Sequence, residues 1–193
     1  MAEKSLQSVD PASSGVLQFF IGKGVDSRGR THRDIAAFGQ NELENSHDYI
    51  QWLWPLHEPS AYAVGAPILT PAMASSLAES DIAHARFVEA ISIFRNFLGV
   101  AIVVDADIVA LPLHVDGASS ARIAMWAHEG DHNCLRITRI LRSLRLVGMD
   151  QEAKAFYRDV SAVGRAAGLS PRTLSYWRRA AEGPVWETMQ GHP

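Results

Sequence analysis

From Thr70 onward the chain is cut into lengths by helix start and stop signals, which leaves little room for any fold but a helical one. Thr70-Pro71, Ser80-Asp81 and Ser170-Pro171 each set a hydroxyl N-cap before a residue suited to a first helical turn. Gly99 and Gly148 follow apolar periodic stretches where a C-terminal glycine closes a helix. The signals predict a helix opening at 71 and others over 80–98, 132–147, 150–167 and 170–181, with Asp150 as a cap. In the second of these, Ile82, Val88, Ile91, Phe94 and Phe97 or Leu98 are expected to share one buried face.

Weaker patterns fill the remainder. Leu43, Ile50, Leu53 and Trp54, stopped by Pro55, predict one helix over 41–54. A short helix over 34–38 and another over 119–128 are expected. Gly22, Gly24 and Gly29 mark a loop after the apolar Phe19-Phe20-Ile21. Residues 100–111 are β-branched but interrupted by Asp105 and Asp107, and read as irregular or extended. No repeat and no linker divides the chain. The expectation is all-α: a single compact domain of about six to eight helices over 15–182, with a flexible tail at 1–14 and a C-terminal tail at 183–193.

Composition excludes several classes. The single cysteine, Cys134, rules out an intrachain disulfide, so a reducing, cytoplasmic setting fits best. The polar first fifteen residues contain no secretory signal, and Asp105 ends the longest apolar run far short of a membrane span. A formal charge of -3 argues against a wholesale nucleic-acid binder. The distribution is uneven, however. Residues 132–181 hold ten Lys and Arg against three acids, a net of +7, so the remainder carries -10. Such asymmetry points to an anionic partner or to two parts of one domain that attract each other.

Several constellations carry candidate chemistry. Glu44 and His47 share the Glu-x-x-His spacing of Glu129 and His132, the pattern by which helical bundles hold two irons, with Glu89 the best-placed further carboxylate. Gly130-Asp131 interrupts the second pair. His128-Glu129-Gly130-Asp131-His132 also matches the zinc-protease pattern, but its middle has turn composition. A looser metal or haem site would use His47, His132 and Glu44, against the alternative that each histidine bonds a buried structural group.

Arg136, Arg139, Arg142 and Arg145 recur every three residues opposite Ile137, Ile140, Leu141 and Leu144. Arg142 and Arg145 read as a solvated face. Arg136 and Arg139, beside His132-Asn133, could hold an anionic group, or pair with Glu44, Asp48 or Glu58. The stretch 167–179, Ala-Gly-Leu-Ser-Pro-Arg-Thr-Leu-Ser-Tyr-Trp-Arg-Arg, is similar to the turn and second helix of mercury-resistance-type winged helix-turn-helix regulators. There Arg172, Thr173 and Arg178 would face DNA; the other reading is a capped helix burying Leu174 and Trp177. Tyr49, Trp52, Trp54, Tyr62, Trp126, Tyr157, Tyr176, Trp177 and Trp186 could line a pocket or fill a core.

Two longer runs resemble a known family. Leu43-Glu44-Asn45-Ser46-His47-Asp48-Tyr49-Ile50-Gln51-Trp52-Leu53-Trp54-Pro55-Leu56 is one, and His132-Asn133-Cys134-Leu135-Arg136-Ile137-Thr138-Arg139-Ile140-Leu141-Arg142-Ser143-Leu144 is the other. Both are similar to signature segments of the opioid growth factor receptor conserved-domain family, with Trp54 in place of the usual phenylalanine. The resemblance spans roughly 17–180 and fits a short, bacterial-type member without the C-terminal repeats of vertebrate proteins. It implies a ligand- or peptide-binding regulatory module, and the pocket is expected between the two runs. Glu44, His47, Gln51, Trp52, His132, Asn133, Arg136 and Arg139 are the expected ligand contacts. A metal- or haem-dependent enzyme and a DNA-binding regulator are the alternatives. Neither ligand, cofactor nor oligomeric state is legible in the chain.

Overall fold

The computed structural model describes residues 11–60, 63, 65–100 and 117–187, with 11–14 as backbone only. The stretch from 101 to 111, Tyr62 and most of both expected tails lie outside the described residues.

Ten helices stand among the described residues: α1 (Pro11–Phe20), α2 (His32–Ala36), α3 (Gln40–Asn45), α4 (Ile50–Leu53), α5 (Pro71–Ala78), α6 (Asp81–Leu98), α7 (Gly117–Trp126), α8 (His132–Leu146), α9 (Asp150–Ala166) and α10 (Pro171–Glu182). The only β pairing among the described residues is one isolated bridge between Leu56 and Ile68. The all-α single domain therefore stands. The helices exceed the expected number mainly because the predicted 41–54 helix is two short ones, and because α1 starts inside the expected tail.

The capping signals act as the sequence proposes. The hydroxyls of Thr70, Ser80 and Ser170 accept from the backbone N–H groups of Met73, Ala83 and Thr173, and Gly99 closes α6 in the left-handed region at φ 70°. Asp150 is the exception. Met149 holds the cap position, and Asp150 and Glu152 lie in the first turn of α9, where the helix dipole favours acids.

The buried row of α6 differs from the expected one. Ala83, Phe87, Ala90, Ile91, Phe94, Phe97 and Leu98 face the core, whereas Ile82 and Val88 are 56 % and 44 % exposed. The small side chains of Ala83 and Ala90 let neighbouring helices approach, so the buried face centres on them. α6 meets α1, α2, α5 and α7, while α8 packs against α7, α9 and α10. One continuous core runs through both groups, from Phe19 and Phe87 to Trp54, Ile140 and Trp177.

α9 and α10 cross closely because α9 has a glycine where they touch. A Cβ on Gly164 would lie 2.9 Å from the Trp177 ring and 3.0 Å from Leu169. Gly164→Ala is therefore expected to destabilise the fold by about 1–3 kcal/mol through overpacking, read as a lower urea midpoint. An unchanged midpoint would show that α10 can shift outward at no cost.

Candidate functional site

The N-terminal turn of α8 meets the end of α3, and a buried guanidinium makes the joint. Arg136 Nη1 donates to the Leu43 carbonyl at 2.9 Å and to Asn133 Oδ1 at 3.1 Å. Its Nη2 donates to the carbonyls of Glu44 at 3.2 Å and Ser46 at 2.8 Å. The planar fork thus satisfies carbonyls that α3 leaves open at its C-terminus, where the dipole is negative. The same bonds explain the break in the predicted 41–54 helix. Ser46 turns to extended backbone, with φ -90° and ψ 135°, and presents its carbonyl to Arg136 rather than to a further helical turn. Tyr49 supports the joint from beneath: its hydroxyl donates to the Leu43 carbonyl at 2.9 Å, and Arg136 lies 5.9 Å from its ring centre. Burial pushes the Tyr49 phenol well above its ordinary range.

Above the joint stand a carboxylate and two imidazoles. Asp131 caps α8 by accepting from the Asn133 N–H at 2.7 Å. The buried Asn133 side chain donates to Glu44 Oε2 at 3.3 Å. The other Glu44 oxygen lies 3.3 Å from His132 Nε2, an ionic distance without an aligned hydrogen bond. The rings of His132 and His47 are 5.3 Å apart. His47 Nδ1 lies 3.0 Å from the Asn45 carbonyl, which can only accept, so in the neutral ring Nδ1 carries the proton. Burial, then the nearby Arg136 charge, hold His132 below the usual histidine pKa. Glu44 and His132 are about one third exposed, and His47 is exposed.

The structure thus brings Glu44, His47, His132, Asn133 and Arg136 together. The contacts of the other three candidates, polar for Gln51 and Arg139 and aromatic for Trp52, run elsewhere. Gln51 donates to Ser60 at 3.3 Å and Trp52 lies 5.4 Å from Phe19, while Gln51 Oε1 and Trp52 Nε1 are buried without a partner. Arg139 Nε donates to the Trp54 carbonyl at 2.8 Å, and burial pushes its pKa down to about 10. Arg142 and Arg145 do not form a solvated face. Arg142 is 6 % exposed and ion-paired with Glu58; Arg145 bonds the Ala181 carbonyl and pairs with Asp150. The arginine ridge faces inward because each guanidinium finds a carbonyl or carboxylate on a neighbouring segment, which no helical period reveals.

The metal patterns come apart in space. α7 ends at Trp126 and Gly130 is left-handed at φ 83°, so 128–131 is a turn. Glu129 accepts from the Ser170 N–H at 2.6 Å and bonds the Thr173 hydroxyl at 2.9 Å, which holds its carboxyl below the usual range. Glu89 pairs with Arg86 at 2.7 Å on α6. Among the described residues no group of three or more His, Cys, Asp or Glu side chains is arranged to hold a metal ion. None of the described helices is long and apolar enough to cross a membrane.

Comparison with known proteins places this geometry in a family. The model of the opioid growth factor receptor (OGFr) conserved region matches residues 34–160, more than half of the chain. The chain is 32 % identical over 115 residues to opioid growth factor receptor-like protein 1 of Mus musculus, covering 56 % of this chain and 22 % of that protein. The Xenopus tropicalis protein of the same name is 31 % identical over 141 residues, 70 % of this chain and 26 % of its own. The opioid growth factor receptor of Homo sapiens is 32 % identical over 108 residues, 56 % of this chain and 15 % of its own. The match thus covers about a quarter or less of these relatives. No solved structure matches.

Proposed function

Since this chain belongs to the opioid growth factor receptor conserved-region family, we propose that it is a ligand- or peptide-binding regulatory module, with Glu44, His47 and His132 as its recognition point. The observation that carries this reading is a partly exposed carboxylate held between His132 and Asn133 on the Arg136 joint. Asn133 and Arg136 are buried and engaged, so their role is to fix the anchor rather than to touch a ligand directly. With His132 in its neutral form, the Glu44 carboxylate is the charge the cluster presents to solvent, while the Arg136 guanidinium lies buried on the backbone carbonyls beneath it. The carboxylate suits a cationic group, such as the amino terminus or a basic side chain of a peptide, next to two imidazole faces. One relative is named as an opioid growth factor receptor and another as receptor-like, which is consistent with a peptide as the class of ligand.

The test is a fluorescence-polarisation screen of short peptides against the full chain. Peptides with a free amino terminus or a basic residue are expected to bind at least about tenfold more tightly than neutral ones, a difference of about 1.4 kcal/mol. Glu44→Gln and His47→Ala are expected to remove that preference while the fold persists by circular dichroism. Peptide binding that is indifferent to both changes would remove this cluster as the site.

A further inference from the structure

We infer that α9, the turn 167–170 and α10 form a helix-turn-helix that binds double-stranded DNA, with the outer face of α10 in the major groove. The argument begins at the turn. Gly168 is left-handed at φ 81°, Leu169 is buried, and Ser170 caps α10 through the Thr173 N–H. This four-residue connection has the length and the glycine of a helix-turn-helix corner. Gly164, one turn before the corner, lets Trp177, Leu169 and Leu174 come within 2.9–3.2 Å of its Cβ position. Trp177 is then locked from the other side, its indole N–H donating to the Cys134 carbonyl of α8 at 3.0 Å. α8, α9 and α10 all touch one another, so α10 is a fixed element of a three-helix unit.

What α10 turns outward is basic and unpaired. Arg172, Ser175, Arg178 and Arg179 are exposed, as is Arg165 on the last turn of α9. The four guanidinium groups of α8 are all engaged internally. By contrast, among the described residues the side chains of Arg165, Arg172, Arg178 and Arg179 have no hydrogen bond or ion pair within bonding distance. No acid occurs from Val160 to Ala181. Arg172, Ser175 and Arg179 follow i, i+3, i+7 spacing and so share one stripe, the arrangement a helix needs to reach base edges, with Arg178 and Arg165 beside it for phosphates.

Two carboxylates flank the stripe. Glu129 already satisfies the amide of Ser170 and lies near enough Arg172 to be influenced by its charge, and Glu182 ends the helix. The helix terminus is thus occupied, and the arginines are the groups assigned to DNA. The family-model match runs over residues 34–160, so α10 lies beyond it, and none of the arginines assigned to DNA bonds the Glu44 cluster.

The experiment is fluorescence anisotropy of a labelled random-sequence duplex with the full chain, repeated as salt is raised. Binding is expected at about 10⁻⁴ to 10⁻⁶ M, weakening linearly on logarithmic axes with salt. The combined Arg172→Gln, Arg178→Gln and Arg179→Gln variant should bind at least tenfold more weakly. Its salt slope should be shallower by about 0.9 for each phosphate that is no longer neutralised. Lys154→Gln with Arg158→Gln, nearer the start of α9, and Glu44→Gln should leave duplex binding unchanged. Absence of binding at low salt overturns the inference, as does wild-type affinity in a triple variant that keeps its helical spectrum. Equal affinity for single-stranded RNA or for anionic vesicles overturns the duplex assignment.

Discussion

Arg136→Met is expected to destabilise the protein by about 3 kcal/mol, the largest effect of any single change at the α3–α8 joint. The methionine keeps much of the apolar stem but deletes the guanidinium that bonds the carbonyls of Leu43, Glu44 and Ser46 and the Asn133 amide oxygen. Leu43 retains the Tyr49 hydroxyl, so the acceptors left short are Glu44, Ser46 and Asn133. An unsatisfied buried acceptor costs about 1–3 kcal/mol, and water at the half-exposed rim relieves part of the sum. Lysine is expected to recover little, because one ammonium cannot span carbonyls on both sides of the fork. Urea unfolding of the two variants decides the matter. A loss below about 1 kcal/mol in the methionine variant would mean that Tyr49 and Leu43 hold the joint by packing alone. The consequence reaches the proposed ligand site as well. Glu44 stands on the turn that Arg136 fixes, so loosening the joint should weaken binding of a cationic peptide in proportion to the lost order.

The parts of the fold legible in the sequence are those written in neighbouring residues. Thr70-Pro71, Ser80-Asp81 and Ser170-Pro171 announce α5, α6 and α10 because a cap and its amide lie within three positions of each other. The break at Ser46 has no such signal, since the group that draws its carbonyl away from a helix is 90 residues distant. The arginine ridge is misread for the same reason. A three-residue period shows that four guanidinium groups follow a slowly turning line, but not that Trp54, Glu58 and Ala181 wait opposite. The candidate site is legible in part: two motif runs far apart place Glu44, His47, His132 and Asn133 at one joint. Gln51 and Trp52 are directed elsewhere, because the break after α3 changes the direction of the chain before they are reached.

His32 should make the fold sensitive to mild acid, a second large effect. Its ring is 1 % exposed, set 5.5 Å from Phe19 and 5.6 Å from Phe20, and neither nitrogen has an aligned hydrogen bond, the Arg86 backbone offering only a weak contact that favours the proton. Burial, then the positive charge of Arg86, lower its pKa from 6.5 to about 4, against the opposing pull of Glu89. Glu89 lies 3.8 Å away and is itself paired with Arg86, so it cannot serve the imidazolium alone. Because the folded-state pKa is depressed, the unfolded chain takes up the proton first. The His32 contribution to stability is therefore full above about pH 6.5, falls as the pH drops toward 4, and is level below that. A pKa lowered by about 2.5 corresponds to about 3 kcal/mol. Burial also lowers His57 and His132, and these contribute acid sensitivity of the same sign. His32→Phe preserves an aromatic ring beside Phe19 and Phe20 and removes only the His32 share. Urea midpoints of both proteins across this window should converge toward neutral pH in their dependence and diverge in acid, the wild type losing about 3 kcal/mol more. Parallel curves would show that the pocket admits water or a counter-charge to the imidazolium. In that case α2, which carries His32 against α6, opens before the core does.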